Sequence, residues 1–180
     1  MTEGKNMAKK TAYMGMLTAL AFIFSYIESL IPISVGIPGI KIGLANMVII
    51  VTLYTIGAVP AFVLSMVRIV LTGFTFGNLA MMMYSLGGGI LSLLVMIIAQ
   101  RTKLFSVTGV SVLGAVFHNI GQIIVAALVV ENSSLFYYLP VLLVSGVAFG
   151  IIIGMVGAVL IKRLTPFVRK QGVKISQRKR

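Results

Sequence analysis

The sequence predicts an all-α integral membrane protein, a bundle of six transmembrane helices with both termini on the cytoplasmic side, and three observations lead there. Hydrophobic residues make up 59% of the 180 positions and charged residues only 10%. The mean hydropathy is +1.10. The apolar residues also gather in six runs, separated by short stretches carrying Gly, Pro or charge. A soluble domain of this length could not bury so much apolar surface. A bilayer instead rewards runs of about 20 apolar residues that close their own backbone hydrogen bonds as helices.

The first run, about 11 to 31, follows Lys9 and Lys10. Its Ala19-Leu20-Ala21 mimics a signal-peptidase site but lies inside the hydrophobic segment, so the run reads as a retained helix. The second, 42 to 57, begins beside Lys41. The stretch Gly36 to Gly43 before it has the glycines of a phosphate loop without the Gly-Lys-Ser/Thr ending, and reads as a structured outer loop. The third, 60 to 73, is short, and its flanks Gly57-Ala58-Val59-Pro60 and Gly73 to Gly77 suit irregular backbone lining a cavity. The fourth, 78 to 100, carries Met81-Met82-Met83, read as packing or lipid-facing surface, and Gly87-Gly88-Gly89, read as a kink or close crossing. The fifth spans 107 to 130 and the sixth 136 to 161. Residues 1–10 and 162–180 are then basic cytoplasmic ends flanking one membrane domain, 11–161.

Charge sets the orientation. There are 15 Lys and Arg against three acidic residues, a net charge of +12. Nucleic-acid binding would need a continuous basic face, whereas these residues sit at the termini and one loop. With an even number of spans and the termini inside, every Lys and Arg is cytoplasmic except Lys41, which falls outside, and Arg68, which falls within the membrane. Tyr26, Tyr137 and Tyr138 then lie at the outer interface as an aromatic belt. The tail from Lys162 onward anchors the inside end and meets anionic lipid. Cysteine is absent, which excludes disulfides, thiolate metal sites and thiol nucleophiles. With no Asp and one His, a zinc ligand set is not credible either.

Arg68 is the first site residue, because an arginine at the bilayer centre costs about 2.5–3.5 kcal/mol on insertion scales and is normally kept facing a partner or cavity. The same topology puts Lys41 and Asn46 at the start of the second helix, Asn78 at the start of the fourth, and His118, Asn119 and Gln122 in the central to outer part of the fifth. Polar residues sharing one half of the bilayer predict a cup that opens outward and is closed below, rather than a through-pore. Two readings stand for Arg68: an ion pair with Glu28, or a planar fork for the carboxylate or phosphate of an anionic substrate, with Lys41 adding charge. His118 and Asn119 read equally as ligand contacts or as hydrogen bonds holding helices together.

Small residues form two stripes suited to close helix approach: Ala12, Gly15 and Ala19 in the first helix, and Gly146, Gly150, Gly154 and Ala158 in the sixth. Each reads either as packing within the bundle or as docking of a separate membrane subunit.

The segments Lys41 to Asn46, Arg68 to Gly77, Ser85 to Gly89, His118 to Gln122 and Tyr138-Leu139-Pro140 resemble the Gx transporter family, also labelled heptaprenyl diphosphate synthase component I, from about residue 8 to 163. That family is similar to the substrate-binding S components of energy-coupling factor (ECF) transporters. The resemblance implies a six-helix protein that binds a vitamin, flavin, isoprenoid or quinone precursor or related metabolite from outside. It also implies a transmembrane coupling subunit and two ATPases as partners. S components commonly carry Ala-x-x-x-Ala on helix 1; here Gly15-x-x-x-Ala19 keeps the small side chains but not the residues.

The synthase label meets a chemical objection. Prenyl diphosphate synthases hold magnesium diphosphate on clustered aspartates, because hard cations need carboxylates. This chain has only Glu3, Glu28 and Glu131, far apart, so no catalysis and no resident cofactor are expected. The alternative is a membrane subunit of flavin- or quinone-linked electron transfer, in which a bound flavin or quinone would be the redox centre. Thr72-Gly73-Phe74-Thr75 resembles a Ser/Thr-Gly-Ala-Thr flavin attachment site, but Phe74 breaks the pattern.

Overall fold

The computed structural model describes residues 2–31 and 41–170. The outer loop read between 32 and 40, including most of its phosphate-loop resemblance, lies outside the described residues, as does the tail beyond 170. Within them the chain forms α1 (Thr2–Leu30), α2 (Leu44–Thr55), α3 (Ala58–Thr75), α4 (Leu79–Thr102), α5 (Val107–Val130) and α6 (Leu139–Lys170), with a 3-10 turn at Ser133–Tyr138. Among the described residues, five stretches are long and apolar enough to cross a membrane, within α1, α3, α4, α5 and the Ser133–Val168 stretch that holds α6.

The short helix is α2, not the third segment as the sequence suggested. At 12 residues it measures about 18 Å, well under a hydrocarbon core of about 30 Å. Its sequence LANMVIIVTLYT is apolar nearly all round, and most of its residues are buried accordingly. The hydroxyls of Thr52 and Thr55 donate to Val48 O and Val51 O, both at 2.7 Å, so they leave no unmet polar group. The following helix is longer than expected because both of its flanks join it. Gly57, at φ 130°, makes the tight turn out of α2, and Pro60 falls in the first turn of α3, where its missing N–H costs nothing. Gly73 stays within the helix.

Side chains close the starts of α4 and α5. Asn78 accepts the Met81 N–H at 2.8 Å to begin α4, and Ser106 accepts the Gly109 N–H at 3.1 Å to begin α5. Neighbour contacts run α1–α3–α4–α5–α6–α2 and back to α1, with α2 also touching α3. Successive helices alternate in direction, so the start of α1 and the end of α6 share one end of the bundle.

Glycines set the tightest crossings. A Cβ on Gly88 would lie 2.6 Å from His118 O, and one on Gly121 would lie 2.7 Å from Gly87 O, so α4 and α5 meet backbone to backbone. The triple glycine is thus a close crossing. On the other side of α5, a Cβ on Gly150 would lie 2.8 Å from Val112 Cα and one on Gly154 would lie 2.6 Å from Thr108 Cα. The α6 stripe is therefore filled by α5 of the same chain. The α1 stripe differs: Ala12, Gly15 and Ala19 are exposed, and nothing lies within 4 Å of a Cβ placed on Gly15.

The core sits toward the end bearing Lys9, Arg101 and Lys162. There Leu17, Ile50, Leu53, Leu64, Leu93 and Val110 pack into one apolar cluster, and Gln100 Nε2 donates to Leu53 O at 3.2 Å across it. Two glycine substitutions separate these environments. Gly121→Ala forces the α4 and α5 backbones apart and should destabilise the protein by about 1–3 kcal/mol. Gly15→Ala meets open space and removes a helix-disfavouring glycine, so it should leave stability unchanged or raise it by up to about 1 kcal/mol. Thermal midpoints in one detergent check the pair, and equal losses at both positions would contradict this packing.

Candidate functional site

Above the apolar cluster the interior turns polar. An inner cavity of about 50 Å³ takes wall residues from all six helices and the segment before α2, among them Glu28, Lys41, Asn46, Arg68, His118 and Asn119. It narrows below Asn46 into a further space of about 20 Å³ that passes Ser92 and Ser111 and stops among Ile50, Met96 and Ile153. Beside it, α1, α3, α4 and Lys41 border a larger, partly open chamber of about 330 Å³. Glu28, Lys41, Arg68 and Ser85 line both spaces and form the wall they share.

Arg68 reaches this wall from the C-terminal half of α3. Its Nη1 donates to Ser25 Oγ at 3.3 Å, and Ser25 in turn donates to Ala21 O at 3.0 Å. The buried Nε has no hydrogen-bond partner. A guanidinium carries five N–H donors, so most of its capacity is unspent. Glu28 does not neutralise it by contact: among the described residues no ion pair joins the two, and the Glu28 carboxylate accepts the Gly43 N–H at 2.5 Å instead. That bond fastens the end of α1 to the start of α2, where Gly43 takes φ 85°. The ion-pair reading of Arg68 gives way to a half-buried cation with an acid nearby but otherwise engaged.

Lys41 is accessible as a residue. Its ammonium is nonetheless held below the ordinary lysine range, first because surrounding protein displaces water and then because of the Arg68 charge, with Glu28 acting in the opposite sense. His118 is buried, and its ring packs against Gly88 at the α4–α5 crossing. Its Nδ1 has no hydrogen-bond partner. Asn119 does structural work, since its Nδ2 donates to Leu142 O at 2.5 Å and ties α5 to α6. Among the described residues no three His, Cys, Asp or Glu side chains come together as metal ligands.

A protein-family model described as Heptaprenyl diphosphate synthase component I matches residues 17–160. The chain belongs to this family. No curated protein and no solved structure matches it. The part shared with heptaprenyl diphosphate synthase component I runs from the middle of α1 well into α6, so it holds every cavity residue named above and leaves out the basic ends.

Of the seven substrate-binding residues expected from sequence, five line the inner cavity: Lys41, Asn46, Arg68, His118 and Asn119. Asn78 and Gln122 are not among its lining residues. Asn78 is exposed and occupied as the α4 cap. Gln122 lies one turn beyond His118, with its Oε1 buried and unpaired. The flavin-like stretch is divided between two faces of α3: Thr72 and Gly73 line the chamber, while Phe74 and Thr75 are exposed.

Sequence reasoning missed Ser25, Ser85 and the chamber wall of Phe76, Met81 and Met82. Ser25 was findable, since it precedes Glu28 by three residues and so shares its helix face. Met82 gave no such signal, because a methionine that packs and one that lines a cavity look alike in sequence. Asn119→Ala removes the tie to Leu142 and should lower stability by about 0.6 kcal/mol, with an upper bound near ~1.7. A thermal midpoint unchanged from wild type would show that the α5–α6 bond carries no weight.

Proposed function

We propose that this chain is the membrane-embedded, substrate-binding subunit of an uptake system for a small anionic metabolite, in the manner of an ECF S component. The observation that carries the reading is the shared wall: Lys41 and Arg68 line two adjoining concave spaces, Arg68 has unspent donors, and the one acid beside them is held by Gly43. Two cations against one carboxylate favour an acidic guest. The apolar cluster beneath the cavity supports a cup rather than a continuous pore.

A cup closed at one end needs a second component to release its contents on the far side. The proposed partners are a transmembrane coupling subunit and two ATPases, and the exposed Ala12-Gly15-Ala19 face suits the first of these better than the α6 stripe, which α5 already fills. In the membrane, α2 serves as a sixth, shortened crossing wrapped by its neighbours, and both termini are cytoplasmic. We further propose that the role within the family is noncatalytic. Magnesium diphosphate chemistry requires clustered carboxylates, whereas Glu28 ends α1 and Glu131 caps α5 at a separate site.

Native purification followed by mass spectrometry of bound small molecules tests the reading. Wild-type protein should retain an acidic metabolite, and Arg68→Ala should lose it while keeping its thermal midpoint. Retention in the variant, or a stoichiometric flavin spectrum in the wild type, would count against anion uptake. Orientation has its own test, made simple by the absence of native cysteine. A single cysteine at Lys103 should react with an impermeant thiol reagent only after the membrane is opened, and one at the exposed Tyr137 should react in intact cells. Labelling of both from the same side would exclude the six-span arrangement.

A further inference from the structure

The two spaces that meet at Arg68 differ in character. The inner one is small and bordered by Asn46, His118 and Asn119, with room for little more than a polar group or a few waters. The chamber of about 330 Å³ is of ligand size. Its charges, from Glu28, Lys41 and Arg68, lie on the side toward the shared wall with Ser25 and Ser85, while the hydroxyls of Ser29 and Thr72 donate to their own helices at Tyr26 O and Ile69 O. Beyond them its lining becomes Ile69, Gly73, Phe76, Met81 and Met82.

The change from charged to apolar follows the axis of α3. Phe76 lies eight residues past Arg68, about 12 Å farther along at 1.5 Å per residue. It sits at the mouth end, where its ring meets Phe22 at 5.5 Å and Tyr26 at 5.6 Å between centroids. Met81 and Met82 face it from the first turn of α4. Methionine is unbranched and polarizable, so it adapts to the shape of an apolar guest. The Met82 side chain already fills the space above Gly73, where a Cβ would lie 2.9 Å from its atoms.

We infer that the ligand is an amphipathic anion that sits head first, its phosphate or carboxylate at Lys41 and Arg68 and its apolar body in the chamber under Phe76, Met81 and Met82. This deepens the anionic-cup reading and rests on it. A purely polar solute would leave the methionine and phenylalanine wall without a partner. A neutral apolar one would leave the Arg68 donors unmet, which is costly in a buried site.

Matched series of probes test it on the whole chain in nanodiscs of zwitterionic lipid: inorganic phosphate with alkyl phosphates, and acetate with longer alkyl carboxylates, each up to six carbons, followed by calorimetry. In whichever head series binds, affinity should rise about fourfold per added methylene. Gly73→Leu, which drives side chains into the chamber, should flatten that rise. Met81→Gln at the exposed rim should weaken it without repacking the interior. A flat series on binding-competent wild type, or a rise undiminished in both variants, overturns the amphipathic ligand and leaves the anionic cup standing. Failure of both head series to bind overturns the cup and this inference with it. Adding phosphatidylglycerol to the disc then tells the source. Displacement of the probe means the amphipathic anion is drawn from the bilayer, undisturbed binding means it comes from water, and each result carries the head-and-body assignment.

Discussion

The close passage of α5 between α4 and α6 is the constraint on which the rest of this bundle depends. In a membrane there is no water to expel from between helices, so association relies on dispersion contacts and interhelical hydrogen bonds. Gly88 and Gly121 on one side, and Gly150 and Gly154 on the other, bring backbones within van der Waals reach where side chains would hold them apart. Two site features follow from this approach. His118 is pressed against Gly88, and Asn119 reaches Leu142 O across the opposite crossing. The interior is also unequal along its length. Bulky residues such as Leu53, Leu64 and Leu93 fill it at the basic end, and small or polar ones leave it hollow at the other.

That inequality gives the buried charge its place. A guanidinium is tolerated among apolar helices where hydrogen-bond acceptors and an enclosed space are supplied together. Ser25 provides one acceptor, and Glu28 offers a compensating field without taking the cation. Because Glu28 is fastened to Gly43, the acid that could have silenced Arg68 instead organises the junction of α1 and α2. The same carboxylate thus serves the fold directly and the site only through its charge.

Much of this was legible in the sequence. The apolar runs 78 to 100 and 107 to 130 marked α4 and α5 closely, because hydropathy acts locally. Arg68, Lys41 and His118 were findable as cavity-lining residues because each is costly in lipid without a polar surrounding. The lengths of α2 and α3 were not legible. Gly57-Ala58-Val59-Pro60 reads as a breaker, yet one glycine makes the turn and the proline fits the first helical turn, a choice made by packing around α2. Nor could the sequence separate the two glycine stripes, since Gly15 and Gly150 have the same chemistry and differ only in which helix happens to lie opposite. Asn78 likewise looks like a ligand contact until its partner, the Met81 N–H, is known, and for Asn119 the helix tie is recognised only once Leu142 O is seen to accept its amide.

Ser25 has one proton, and its helix claims it: the hydroxyl donates to Ala21 O, so toward the interior it has only lone pairs to offer. Such a group welcomes a donor and nothing else. Arg68 is consequently held by one edge, at Nη1, where it lines the two spaces. A long arginine side chain otherwise surrenders much rotational freedom on binding, an ordering cost of about 0.5–1.5 kcal/mol. Here the folding of α1 meets that cost in advance, so the proposed cup would offer an anion an arginine already ordered by a serine.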